Sequence, residues 1–220
     1  MGERTTPVRV WDAPTRLFHW VLVVLLGVSW LTESRDWMQL HFLSGYSIIA
    51  LLLFRLAWGF VGSDTARFSG FVKGPLVALR QLAHLHRRTP DTAVGHNAAG
   101  GWMVLLMLAL LVVQVATGLF ANDDADTEGP LFRYVSKESS DWLSHIHAVN
   151  FMLIKIAVVA HIVAIAVYAA VKQHDLLWPM ITGSKNLPHA LPRPAMVHPV
   201  RALVVFLIAA GVVALAVNRL

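Results

Sequence analysis

The sequence predicts an all-α integral membrane protein, and three observations carry that expectation. Of 220 residues 56% are hydrophobic and 14% charged, whereas soluble domains carry about a quarter charged residues. The mean hydropathy is +0.59. The apolar residues also fall in long blocks, which meet the length of roughly 17–25 residues that a bilayer-crossing helix needs.

Taken in order, the spans are expected at 16–33, 40–62, 98–121, 144–171 and 200–218. The first follows a segment with three basic and two acidic side chains. No small-residue cleavage site follows its apolar block, so it reads as a retained span rather than a cleavable signal. The second contains Phe42 to Phe60, interrupted only by Arg55. The third has no charged residue, and the fourth contains one, Lys155. The fifth, with its uncharged stretch Ala202 to Val217, is short and flanked by Arg201 and Arg219. No strand pattern competes, because an open sheet edge in lipid would leave backbone groups unpaired.

Basic residues set the orientation. One side of the membrane holds Arg4, Arg9, Arg16, Arg67, Lys73, Arg80, Arg87, Arg88, Lys172, Lys185, Arg193 and Arg201. The other holds Arg35, Arg133, Lys137 and Arg219. The richer side is expected to be cytoplasmic, with the amino terminus there and the carboxyl terminus outside. The pI near 10 then reflects cytoplasmic loops rather than nucleic-acid binding. The external loop 121–143 carries Asp123, Asp124, Asp126, Glu128, Glu138 and Asp141 against two basic residues, an acidic face. On the cytoplasmic side, Pro75 and the stripe Leu76, Leu79, Leu82 and Leu85 predict an interfacial helix over 75–88, with His84 and His86 as surface residues.

The absence of cysteine excludes disulfides, thiolate metal sites, iron–sulfur ligation by cysteine and covalent haem attachment. Histidine is the remaining metal-binding chemistry. Ionisable residues inside a span are rare and usually functional, and four histidines meet that condition: His19, His41, His147 and His161. His147 and His161 are 14 residues apart, so they share a helix face about 21 Å apart along the axis. In a hydrocarbon layer about 30 Å thick, that puts His147 at outer and His161 at inner depth. His19 begins the first span at inner depth, and His41 begins the second at outer depth. The depths match in pairs, His41 with His147 and His19 with His161, as two b-type haems in a helical bundle require.

Neighbouring residues suit a flat macrocycle. Gly45 lies one turn after His41, where a missing side chain admits a porphyrin plane, and Gly27 and Gly118 are read the same way. Arg55 shares His41's face at inner depth, where a haem propionate would hold it, or it snorkels to the headgroups. A purely structural role for the four histidines, hydrogen-bonding between helices, fits one such residue better than four at two matched depths. Zinc or copper transport would bring clustered carboxylates or methionines into the spans, and none accompanies these four.

At these residues the chain resembles the bacterial cytochrome b561 family, including the b-type cytochrome subunits of hydrogenases and related dehydrogenases. The resemblance lies in Arg16-Leu17-Phe18-His19-Trp20, in His41 with Gly45 and Arg55-Leu56, and in the 14-residue spacing of His147 and His161. The opening Val10-Trp11-Asp12-Ala13-Pro14 adds to it, and it covers about 8–182. It implies a four-helix bundle binding two haems b over 1–182; the linker and extra C-terminal transmembrane helix over 183–220 depart from the common four-span pattern, as does the long acidic loop 121–143. It implies His19, His41, His147 and His161 as the axial iron ligands. It also implies electron transfer between membrane quinone and an external partner, at the bacterial inner membrane.

That partner is expected to be a periplasmic redox protein, such as a c-type cytochrome or a hydrogenase or dehydrogenase subunit, and the acidic loop would steer a basic one. Superoxide oxidation coupled to quinone reduction is an alternative, but it would favour a positive outer funnel. A haem-relay anchor for a hydrogenase or dehydrogenase is another, with the catalytic centre on a separate polypeptide. His96, with Asn97, is expected at the cytoplasmic mouth of the third span, as a contact to propionate or quinone or as an ordinary interfacial histidine. Lys155, near mid-membrane, is expected to reach a propionate, water or quinone pocket.

Overall fold

The computed structural model describes residues 5–84, 94–188, 191 and 193–219. In chain order the elements are β1 (Thr5–Arg9), α1 (Ala13–Ser34), α2 (Met38–Val61), α3 (Phe68–Phe71), α4 (Pro75–Ala83), α5 (Ala98–Gly118), α6 (Lys137–Val167), α7 (Leu177–Thr182), β2 (Ser184–Pro188) and α8 (Pro199–Val217). Among the described residues, five helices are long and apolar enough to cross a membrane: α1, α2, α5, α8 and α6, which a π-helical turn extends to Lys172. Large apolar side chains, among them Val24, Ile156 and Leu207, point outward from these helices, as lipid-facing surfaces require.

Local chemistry sets the helix ends. The buried Asp12 caps α1, its Oδ1 accepting the backbone N–H of Thr15 at 2.7 Å. Asp36, at φ 57°, closes the other end, and the N–H of Trp37 bonds back to the carbonyl of Thr32. Asn97 caps α5 by accepting the N–H of Gly100 at 2.8 Å. The start of α6 lies seven residues before the expected 144, because the hydroxyl of Ser136 accepts the N–H of Ser139 and begins the helix in polar sequence. The expected interfacial helix is present over Pro75–Ala83, with Leu76, Leu79 and Leu82 exposed. Leu85, His86, Arg87 and Arg88 lie outside the described residues.

The strand pair is a departure from the all-helical expectation. β1 and β2 form a two-stranded antiparallel sheet in the register Thr5↔Pro188 to Arg9↔Ser184. Its inward residues Val8 and Leu187 bury with Val10 and Trp11, and Leu187 is fully enclosed. Gly183, at φ +88°, starts β2, and a Cβ there would meet the carbonyl oxygen of Trp11 at 2.9 Å.

The chain divides into two compact units, each with a segment of all five long helices. The unit of residues 1–19, 55–105 and 159–203 contains the sheet, α3, α4 and α7. In it Trp58 is fully buried and donates its indole N–H to Asp12 at 3.0 Å, which fastens the start of α1 to the end of α2. The phenol of Tyr168 accepts from the amide of Asn97 at 2.8 Å. The backbone before α8 is tied to the end of α2, Ala195 donating to Asp64 and Val197 to Ser63.

The unit of residues 20–54, 106–158 and 204–220 contains the loop between α5 and α6. Asn122 stitches that loop down, donating to Ser140 at 2.6 Å and to Asp141 at 2.9 Å. Lys137 pairs with Asp124 and Asp141. The N–H groups of Thr127 and Ala125 hold the Asp123 carboxyl below the usual carboxylate range. In this unit Phe54 of α2 packs edge-on against Phe206 of α8.

Candidate functional site: two facing histidine pairs

His41 and His147, on α2 and α6, bring their ring centroids to 6.5 Å. His19 and His161, on α1 and α6, bring theirs to 6.4 Å. The first pair lies in the unit that holds the acidic loop, the second in the unit that holds the sheet. A metal–imidazole bond is about 2.0–2.1 Å long and the ring centre lies about 1.1 Å further on, so two imidazoles on opposite sides of one ion sit about 6.2–6.4 Å apart. The His19–His161 pair has that spacing, and the His41–His147 pair lies about 0.1 Å beyond it. Among the described residues no cluster of three or more His, Asp or Glu groups offers a different metal geometry.

Hydrogen bonds around the first pair fix the tautomers. His41 Nδ1 lies 3.0 Å from the carbonyl of Ser29, and His147 Nδ1 lies 2.9 Å from the carbonyl of Gln114. A carbonyl only accepts, so each Nδ1 carries the hydrogen and each Nε2 presents a lone pair. This is the usual arrangement of a ligating histidine. Ser29 and Ser44, 2.6 Å apart, join α1 to α2 beside His41.

A relay that the sequence reading missed lies behind His147. Asn150 donates to the side-chain oxygen of Gln114 at 2.7 Å, and the amide nitrogen of Gln114 donates to His147 Nε2 at 3.0 Å. A metal ion would take the place of that last hydrogen bond. Gln114 is an amide in a charge-free span and Asn150 lies three residues after His147, so both were visible as polar residues among apolar ones.

The glycines separate into two kinds. A Cβ at Gly27 or Gly45 would meet nothing within 4 Å, which leaves open space beside each helix. Gly118 differs, because a Cβ there would come within 2.7 Å of His147 Cε1. The expectation that Gly118 makes room for a macrocycle is therefore corrected: it makes room for the imidazole.

Arg55 is 2% exposed, its guanidinium 5.0 Å from the centroid of Phe68, and it does not extend to the surface as a snorkelling side chain would. Asp12 supplies the nearby opposite charge, but both carboxylate oxygens are occupied, by Thr15 and Trp58. His96 is held between Trp11 at 4.6 Å and Phe71 at 4.9 Å. Burial, with the charges of Arg55, His161 and His19, pushes its pKa down to about 3, so this imidazole is neutral near pH 7. Lys155 is exposed, its ammonium 5.0 Å from the ring of Phe151 and 5.9 Å from that of Trp30.

The profile of the prokaryotic cytochrome b561 family matches residues 10–183. A probable Ni/Fe-hydrogenase B-type cytochrome subunit of Azotobacter vinelandii is 32% identical over 124 residues, 44% of this chain and 52% of that protein. The chain thus aligns with about half the length of that relative. A protein of the same description from Bradyrhizobium diazoefficiens is 24% identical over 226 residues, 84% of this chain and 90% of that protein. No solved structure matches the chain.

Proposed function

The chain belongs to the prokaryotic cytochrome b561 family, and from that premise we propose that it is a di-haem electron carrier between membrane quinone and a hydrogenase outside the membrane. The observation that carries this reading is the pair of histidine separations, 6.5 and 6.4 Å. His41 and His147 hold one haem iron, His19 and His161 the other, and α6 supplies one ligand to each. Haem bound there supplies a one-electron iron couple. The carbonyls of Ser29 and Gln114 keep the Nδ1 hydrogens of His41 and His147 in place and make their Nε2 atoms more basic ligands. The open faces at Gly27 and Gly45 accommodate the macrocycle, and buried Arg55 faces a propionate.

The hydrogenase is inferred from the descriptions of the two relatives. The orientation read from the basic residues puts the amino terminus in the cytoplasm of a bacterial inner membrane and the acidic α5–α6 loop in the periplasm. Loop carboxylates such as Asp126 and Glu128 are exposed there, where they steer a partner with a basic face.

The test is a haem count with reduced-minus-oxidised spectra on the purified chain and its four single His→Ala variants. Two b haems per chain, one lost with His41 or His147 and the other with His19 or His161, is the expected result. Hydrogen-dependent reduction of the remaining haem on adding the hydrogenase assigns the partner. No haem, or losses insensitive to these four residues, overturns the reading.

A further inference from the structure

Beyond the two histidine pairs, His96 and Arg55, in the unit holding His19 and His161, each bury a nitrogen that bonds to nothing among the described residues. His96 Nδ1 and Arg55 Nη1 are closed to solvent, and neither has a hydrogen-bond partner among the described residues. Buried polar atoms are paired in the great majority of cases, and an unpaired one carries the full cost of desolvation, more so when charged. These two atoms lie against one aromatic wall, Phe68 and Phe71, and can share an acceptor.

Their surroundings hold both in place. His96 is gripped by Trp11 on one side and Phe71 on the other. Arg55 lies over Phe68, whose ring packs 5.8 Å from that of Phe71. Phe68 and Phe71 are thus a shared wall. The nearby carboxylate, Asp12, accepts from Thr15 and Trp58 and is not within hydrogen-bond reach of His96 Nδ1 or Arg55 Nη1, so it is not the missing acceptor. His96 and Arg55 belong to the same compact unit as His19 and His161.

We propose that His96 and Arg55 form a two-pronged carboxylate anchor for the haem held by His19 and His161, Arg55 giving charge and His96 a neutral N–H. The inference rests on reading that pair as haem ligands. A neutral donor beside one guanidinium suits a single carboxylate, because it adds a directed hydrogen bond without a second full charge. A haem carboxylate so bound has its negative charge partly offset, which disfavours the ferric iron and raises the reduction potential. His96 then positions and tunes rather than ligates.

The experiment measures both midpoint potentials in the full-length protein, as wild type, His96→Leu and His96→Gln. Each form is loaded with protohaem or with its dimethyl ester, whose capped carboxylates carry no charge. With protohaem, His96→Leu lowers one of the two potentials and leaves the other unchanged. His96→Gln, which keeps an N–H donor, restores most of the wild-type value. With the ester the effect of His96→Leu disappears.

Unchanged potentials in haem-replete His96→Leu overturn the proposal. So does an equal shift with protohaem and ester, which marks packing or a free anion rather than a haem carboxylate. Loss of one haem in both His96 variants overturns it too, since glutamine retains the donor. A wild type without haem defeats the underlying ligand assignment before His96 is tested.

Discussion

Gly118→Ala tests the geometry of the His41–His147 pair through a residue that would never touch iron. The new methyl would lie 2.7 Å from His147 Cε1 and 3.1 Å from its Nδ1, so the imidazole must retreat by about 0.7 Å to reach ordinary contact. Overpacking of this kind costs about 1–3 kcal/mol, while alanine in place of glycine returns about 1 kcal/mol of helix propensity. The net loss of fold stability is therefore at most about 2 kcal/mol, and the protein should still assemble. Ligation is affected more strongly, because the retreat also stretches the bond from His147 Nδ1 to the Gln114 carbonyl, now 2.9 Å. Loss of such support typically lowers metal affinity about 10–100-fold. The assay is haem per chain by pyridine haemochrome on purified protein, with the reduced spectrum of whatever haem remains. One haem should fall away or become exchangeable while the other keeps its spectrum. Two tightly held haems with wild-type spectra would refute the argument that Gly118 exists to seat His147.

The remaining predictions address other supports. Gln114→Leu keeps the backbone carbonyl that holds His147 Nδ1 and removes only the amide that competes with iron for Nε2. That haem should be held at least as tightly, and faster haem transfer to apomyoglobin from the variant would count against this assignment. Asp12→Ala deletes the α1 cap and the acceptor of the Trp58 N–H. Together these are worth about 2–4 kcal/mol, so the thermal midpoint in detergent should fall, and an unmoved midpoint would show that neither bond supports the fold. Lys155→Met removes only ring contacts at 5.0 and 5.9 Å, worth about 0.5–1 kcal/mol. Both haems should remain, and loss of either would mean that Lys155 reaches a propionate.

Much of the architecture was legible because lipid imposes a strong constraint. A span must be long and apolar, so the five blocks stood out, and any histidine within one became conspicuous. The 14-residue spacing then fixed a shared face on α6 through helix geometry alone. What escaped was contact between distant segments. Thr5–Arg9 alternates weakly, and nothing local says that Ser184–Pro188 is its partner. The start of α6 was read late because hydropathy registers the apolar stretch, whereas the hydroxyl of Ser136 begins the helix. Gly118 was read as space for a cofactor because a glycine in a sequence reveals a gap without revealing what fills it. Arg55 left two options open, and its burial under Phe68 removed the snorkelling one.

The β1–β2 pairing also sets a timetable for biogenesis. Thr5–Arg9 is made before α1, yet its partner strand is made only after α1, α2, α5 and α6. At about 5–20 residues per second the wait is roughly 10–35 s. Through that interval Trp11, which grips His96 and packs with Val8, Val10 and Leu187, has no sheet to anchor it. The sheet is therefore a late clasp, fastened by translation of its second half. A chain truncated before Ser184 would keep all four histidines and still leave that clasp undone.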